Sequence, residues 1–453
     1  MTPSTFLADL PFARGRRAER APDRPWSRKS RAPVASALGA ALALVLPGVA
    51  AAAPGDPDTG FGTGGRVTTD FGGFEQVNGV AVQPDGKIVA VGLTDTGGAD
   101  GGVDNFAVAR YEANGTPDKT FGTGGRLTTD FSGAAQAVAV QPDGRIVVVG
   151  HSDDDFAVAR YNADGSPDTT FDNDGRATTQ FGGVDQARAV ALRPDGKIVV
   201  AGLSNAGGTY DFAVARYNSD GGPDIDFDAD GRVTTDFSGG LDQVFGLALR
   251  PDGRIVAAGS ANGFGADDFA LVQYEGDGTL DSGFGTGGRV TTDFGGLDQA
   301  RGMALQPDGK IVTAGLGGSG NTSAFAMARH NADGSPDAGF GTDGRVTTGF
   351  GATGSAAAVA VQSDDKIVAA GQGGPGGSGF ALARFNGDGT ADTSFGTGGK
   401  VTTEFAGADD GAHALAVQAD GKIVAAGSAS GAAGDFALVR HQSGATPSAP
   451  RRP

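Results

Sequence analysis

One short phrase, Lys or Arg followed by Ile-Val, recurs through this chain at Ile88, Ile146, Ile198, Ile255, Ile311, Ile367 and Ile423, with spacings of 58, 52, 57, 56, 56 and 56 residues. Seven copies of one unit therefore fill residues 54–441. A period this long exceeds the single turns of β-helices and leucine-rich horseshoes and falls near the length of a propeller blade. The phenylalanines obey it too: three positions in each of the seven copies hold 21 of the 27, such as Phe61, Phe71 and Phe106 in the first copy and Phe395, Phe405 and Phe436 in the last.

Within a copy, β-branched content and bounding turn residues mark four extended runs. In the third copy these are Arg176–Phe181, Arg188–Leu192, Lys197–Gly202 and Asp211–Tyr217. The turn Pro194-Asp195-Gly196 has a mechanism: Pro presets φ, Asp bonds back to the backbone, and Gly accepts positive φ. The middle runs are apolar at nearly every residue, which predicts burial on both faces. No amphipathic helical period appears among the copies. A lone unit of this size buries too little apolar area to fold, whereas a closed ring sandwiches every unit between neighbours.

With the Ala-Val-Ala-Val run innermost and the Thr-Thr-Asp-Phe run outermost, the repeats open on an outermost strand at Arg66–Phe71 and end on a third strand at Phe436–His441. Pairing these two ends would complete the last unit and remove two exposed edges. The expected fold is all-β: a seven-bladed β-propeller of four-stranded blades, closed by the N-terminal strand.

Composition narrows the function classes. Glycine is 81 of 453 residues and charged residues are only 19%, the arithmetic of a turn-dense β protein. The absence of cysteine removes disulfides, thiolate zinc sites, iron–sulfur clusters and a cysteine nucleophile together. A net charge of -18 argues against nucleic acid as a partner, because phosphates are bound by clustered Lys and Arg.

The N-terminus reads differently from the repeats. Arg14 to Arg31 is basic, and Ala35 to Ala53 is apolar and small-residued, so residues 1–53 read as a signal peptide with a basic n-region. Its apolar core is too short for a membrane span. Cleavage after residue 53 would remove eight basic and three acidic residues, leaving a net charge of -23, and would remove Trp26, the sole tryptophan. Residues 442–453 read as a disordered tail. The expectation is a secreted or extracytoplasmic monomer with no membrane span.

Three recurring segments carry a resemblance. Phe61–Phe71, Phe-Gly-Thr-Gly-Gly-Arg-Val-Thr-Thr-Asp-Phe, is joined by Gln83–Val89, Gln-Pro-Asp-Gly-Lys-Ile-Val, and by Phe156–Gly165, Phe-Ala-Val-Ala-Arg-Tyr-Asn-Ala-Asp-Gly. In this order and spacing they resemble the delta-60 repeat of bacterial extracellular proteins. The resemblance implies a β-propeller with a strand plan similar to NHL-type propellers, and it implies no shared reaction. The sixth copy departs with Ser363-Asp364-Asp365 in place of Pro-Asp-Gly and the seventh with Ala419 for Pro, both local turn changes.

Chemical constellations are few. His151, His330, His413 and His441 are scattered over the copies and read as surface residues, two of them replacing the Tyr that ends the fourth run. The Gly-rich segments precede strands and open no helix, so they are turns and not phosphate loops. Asn162–Asp174 and Asp220–Gly231 bring oxygen ligands together in a way that invites calcium, yet full loop spacing and a distal Glu are missing, and they read as Asx turns. The Arg before Val-Thr-Thr or Leu-Thr-Thr, as in Arg66, Arg126 and Arg232, reads as a carbonyl cap or ion-pair partner. No cofactor, metal or catalytic residue is assigned.

Loop lengths supply the functional lead. The Pro-Asp-Gly turns and the links from third to outermost strand share one face and barely vary. The opposite face carries loops from the brief Ser152–Asp155 to the long Thr94–Asn105. Specificity built on a rigid scaffold belongs on such a variable face. Glu75, Gln76, Asp185, Gln186, Asp242, Gln243, Asp298 and Gln299, with the loop residue Tyr210, are the candidate ligand-face residues near the mouth of the central channel. The expected function is binding or surface interaction with an extracellular protein or glycan. The alternatives are a lyase or hydrolase of an extracellular polymer on the same face, and a structural repeat displayed on the envelope.

Overall fold

Twenty-eight strands, four per repeat, are set out by a computed structural model that describes residues 52–95, 104–237, 239–262, 267–318, 323–351, 353–374, 377–405, 410–429 and 434–444. Almost all of the signal-peptide segment, the middle of the Thr94–Asn105 loop and the tail beyond residue 444 lie outside the described residues. Among the described residues the strands form seven four-stranded antiparallel sheets, each running from an innermost to an outermost strand. The first blade is Phe74–Val82, Ile88–Asp95, Asp104–Tyr111 and Arg126–Thr129, and the third is Asp185–Leu192, Ile198–Ser204, Asp211–Tyr217 and Arg232–Thr235. Six sheets are continuous in sequence. The seventh joins Gly411–Val417, Ile423–Ala429 and Asp435–His441 to Arg66–Thr69, so the expected closure is present.

The closing register runs from Arg66 opposite Val439 to Thr69 opposite Phe436. Residues before the strand add to it. The Asp58 carboxylate accepts from Arg440 Nε at 2.8 Å, the Gly55 N–H donates to the Gln442 carbonyl at 2.7 Å, and the Gly55 carbonyl accepts from His441 Nδ1 at 2.9 Å.

Four strand limits differ from the sequence reading, two of them in the third run, which was expected over Lys197–Gly202 and is Ile198–Ser204. The outermost run expected over Arg176–Phe181 ends at Thr179, because the Phe181 N–H leaves the ladder to donate to Asp185 Oδ2 at 2.6 Å. The innermost run begins at Asp185 and not Arg188, and its pairing skips a residue between Ala187 and Ala189. Arg188 is that extra, unpaired residue, the hallmark of a β-bulge.

The core lies between blades. Second and third strands are buried almost throughout, as Ile198–Ser204 and Asp211–Tyr217 show. One cluster packs Val147, Val149, Phe156 and Phe171 of the second blade against Ile198, Val200, Ala213 and Tyr217 of the third. Near the axis innermost strands approach so closely that a Cβ on Gly302 would lie 2.8 Å from the Cα of Ala358.

A buried bracket repeats around the ring. Arg110, Arg160, Arg329 and Arg384 each donate Nε to an Asp of their own blade (Asp118, Asp168, Asp337 and Asp392) at 2.7 Å. Their Nη1 groups donate to carbonyls of the next blade, at Ala163, Ser219, Gly387 and Ser443. Arg440 closes the circle onto Ala113 of the first blade. Asp168 and Asp224, members of the segments that invited calcium, are thus engaged by Arg160 and Arg216.

Two of the histidines correct the surface expectation. His330 and His441 are buried in the place of Tyr111, Tyr161, Tyr217 and Tyr274, and like them they reach a Thr on the outermost strand of the preceding blade. Burial alone holds His330 down to about 4, and burial first also holds His441 there. Of the arginines that open the outermost strands, Arg126 caps the Asp70 carbonyl, Arg345 caps that of Asp293 at 2.6 Å, and Arg232 caps that of Gln180 while pairing with Asp230 at 3.0 Å.

Candidate functional site

Strand direction decides which loops share a face. Each innermost strand starts on the variable-loop face and descends to the turn that holds Pro-Asp-Gly or its variant. The repeated face is stitched into a ring, the Asp172 N–H donating to the Asp220 carbonyl at 2.7 Å and the Asp228 N–H to that of Asp277 at 2.8 Å. The opposite face begins with the residues predicted to meet a ligand, and the structure divides those pairs.

The acidic members turn inward. Glu75, Asp185, Asp242 and Asp298 are all 0% exposed. Asp242 accepts from the Phe237 N–H at 2.7 Å and the Asn262 N–H at 3.2 Å; Asp298 accepts from the Phe294 N–H at 2.6 Å and the Gly318 N–H at 3.2 Å. Each therefore ties a blade-to-blade link to the hairpin loop of its own blade. Glu75 accepts from the Gly73 N–H at 2.7 Å and from Thr94 Oγ1 at 3.3 Å. Their backbone N–H groups grip the preceding blade, Asp242 through the carbonyl of half-buried Tyr210 at 2.7 Å. Burial, then neighbouring carboxylates, raises Glu75, Asp242 and Asp298 above the usual carboxylate range.

Three of these acids belong to carboxylate clusters whose oxygens lie within 4.8 Å of one another: Asp70 with Glu75 and Asp435, Asp211 with Asp236 and Asp242, and Asp268 with Asp293 and Asp298. Such all-oxygen sets match the donor chemistry of a hard cation. They are the described residues with that chemistry, in place of the Asn162–Asp174 and Asp220–Gly231 segments.

The glutamines face the channel, as the alternation of a strand requires of a neighbour to a buried acid. Gln243 and Gln299 line a cavity of about 460 Å³ together with Asn78, Gln136, Arg188, Phe245, Arg301, Ala357 and His413. Gln76 reaches the same wall, its Nε2 lying 2.9 Å from Asn78 Oδ1 and 2.8 Å from His413 Nδ1. Gln186 Oε1 accepts from Arg188 Nη2 at 3.3 Å.

Asn78, Gln136, Arg188, Phe245, Arg301, Ala357 and His413 are the bulge residues of the seven innermost strands, each skipped by its pairing register. They form one ring around the channel, nearer its variable-loop end. Sequence reasoning missed this ring, although its signal was present: every member lies ten residues before the Ile of its copy. That position holds six residue types in seven copies, in a repeat whose flanking positions hold Ala, Gly and Val.

Larger clefts have other surroundings. One of about 720 Å³ between outermost strands is lined by Asp293, Gly341, Arg345 and their neighbours, and one of about 760 Å³ on the repeated face by Gln83–Gly86 and Gln418–Asp420. Both are built of turn and cap residues that recur in the copies. Exposed large apolar side chains favour the other face: Phe74, Leu241 and Leu297 stand on the variable-loop side, and Ile225 on the repeated side.

The chain is similar to Sqt1 from Chaetomium thermophilum bound to the N-terminus of ribosomal protein L10, at 11% identity and a TM-score of 0.47 over 82% of this chain and 98% of that one. It is similar to Drosophila Semaphorin 1b, extracellular domains 1–2, at 10% identity and 0.44 over 83% and 86%, and to the polysaccharide lyase Uly1 at 12% and 0.45 over 81% and 89%. The fold rests on the strand pairings themselves and not on these likenesses. No curated protein matches the chain significantly. The family model described as "Domain of unknown function (DUF5122) beta-propeller" matches residues 83–121, 141–171, 193–227, 250–284, 306–340, 362–395 and 418–440, one segment per blade and just over half the chain, so the protein belongs to that β-propeller repeat family.

Proposed function

We propose that this protein is a secreted, monomeric binding module of the delta-60 type that takes an extracellular ligand at the mouth of its central channel, on the variable-loop face. The observation that carries the reading is the bulge ring. Repeat positions that serve the fold hold nearly the same residue in every copy, whereas the ring holds Asn, Gln, Arg, Phe, Arg, Ala and His around a cavity of about 460 Å³. A bulge frees its residue from the ladder and re-aims it, which is how a strand can carry a functional side chain without weakening its sheet. Exposed Phe74, Leu241 and Leu297 give the same face an apolar rim.

The test is a glycan and metabolite array probed with the full chain, followed by Phe245→Ala and by exchange of the Thr94–Asn105 loop for Ser152–Asp155. Hits should lose about tenfold or more in affinity on Phe245→Ala, with melting unchanged. Hits that bind equally well after both changes would move the site off this face. Turnover of a polymer hit that is abolished by His413→Ala would favour the lyase or hydrolase reading.

A further inference from the structure

Two members of the ring stand apart from the arginines of the buried bracket. Those hold carboxylates, as Arg160 holds Asp168 and Arg384 holds Asp392, each at 2.7 Å. Arg188 and Arg301 line one cavity, and among the described residues neither has a carboxylate within ion-pair distance. Arg188 donates to Gln186 Oε1 at 3.3 Å and lies 4.7 Å from the centre of the Phe245 ring. Arg301 donates from Nη2 to Gln299 Oε1 at 2.9 Å and from Nη1 to Ser355 Oγ at 2.9 Å. Neutral acceptors orient both guanidiniums and offset neither charge.

The fold does not require these charges. Ala357 occupies the same ring position one blade on from Arg301, and Phe245 occupies it between the two arginines. Guanidinium remains protonated at any physiological pH, so two half-buried like charges face one cavity in a molecule whose net charge is -18. Holding them there is costly unless a counter-charge enters. A guanidinium fork matches carboxylate and phosphate in geometry, and the cavity volume suits a small molecule.

We propose that the channel mouth binds a small molecule through an oxyanion group, carboxylate or phosphate, held between Arg188 and Arg301. This rests on the channel-mouth reading above and names its ligand chemistry.

The experiment is titration calorimetry on the full chain at fixed ionic strength with succinate, inorganic phosphate and glucose. One anion should bind at one-to-one stoichiometry and lose about tenfold or more in affinity in R188Q/R301Q. R145Q removes a charge on the repeated face and should leave binding unchanged. Succinate without phosphate assigns a carboxylate, and the reverse assigns a phosphate. If R188Q/R301Q does not fold, Ala357→Glu serves instead: it places a carboxylate in the ring beside Arg301 and should abolish anion binding in a folded protein. No binding of either anion at about 10 mM, or equal binding by wild type and both ring variants, overturns the proposal. A neutral ligand that depends on Phe245 and is indifferent to R188Q/R301Q overturns it while leaving the channel-mouth reading standing.

Discussion

At the residue scale, the last position of the third strand, Phe385 in the sixth blade and Tyr or His in the other six, shows how one hydrogen bond survives the change from Tyr to His. Tyr111 and Tyr274 meet Thr69 and Thr235 at 2.7 Å across blade junctions, and His330 meets Thr292 through Nε2 at 3.0 Å. The substitution leaves His330 Nδ1 buried without a partner, a cost of about 1–3 kcal/mol. It also adds a pH dependence. His330 resists protonation down to about 4 in the folded state, whereas the unfolded side chain takes a proton near 6.5. Its contribution is therefore complete above 6.5 and is lost as pH falls from there toward 4. His330→Tyr should stabilise the protein at pH 7, and its advantage over wild type should grow by about 2 kcal/mol at pH 5. Urea unfolding at the two pH values checks this; an advantage that does not change with pH would show that His330 titrates normally.

At the scale of the element, the third strand and its neighbours form a bracket whose parts can trade places. In the fourth blade Gln273 stands where other blades have Arg, and Arg250 stands where the first blade has Gln83. The network is rebuilt with its polarity exchanged: Arg250 Nε donates to Gln273 Oε1 at 2.5 Å, Gln273 Nε2 donates to Asp281 at 2.5 Å, and Arg250 Nη2 reaches the Ala332 carbonyl of the next blade at 2.9 Å. A buried charge left without its partner is costly, and an Arg at 273 would set a like charge against Arg250, whose Nε now donates to Gln273. Arg250→Gln and Gln273→Arg should each cost about 1–3 kcal/mol, while the double variant, which restores the arrangement of the first blade, should return to within about 1 kcal/mol of wild type. Chemical denaturation of the four proteins measures the coupling, and simple additivity would mean that the two residues do not share a network.

At the scale of the molecule, everything depends on closure. Each blade's core is half supplied by a neighbour, so an open ring exposes two apolar faces at once. The strand Arg66–Thr69 covers the edge of Asp435–His441, and Asp58 neutralises buried Arg440. Deleting residues 54–72 removes both. The truncated protein should melt far earlier and aggregate, as light scattering and calorimetry would report. A monomer with unchanged melting would show that the N-terminal strand is not the latch.

Repeat number, strand order, closure and the division into a repeated and a variable face were all legible in the amino-acid sequence, because they follow from period, turn chemistry and the phase of the first and last strands. Half of the candidate site was legible as well. Gln76, Gln186, Gln243 and Gln299 do face the channel, while their acidic neighbours, one residue away on a pleated strand, point into the blade junctions as tie points for loops. What only the tertiary structure decided was that the varied position ten residues before each Ile leaves its ladder and joins a ring. A bulge is a property of register between two strands, so nothing within Gln186-Ala187-Arg188-Ala189 announces that Arg188 leaves the ladder. Arg188 and Arg301 come from the third and fifth copies, and only the closing of seven blades around one axis brings their charges to a common cavity.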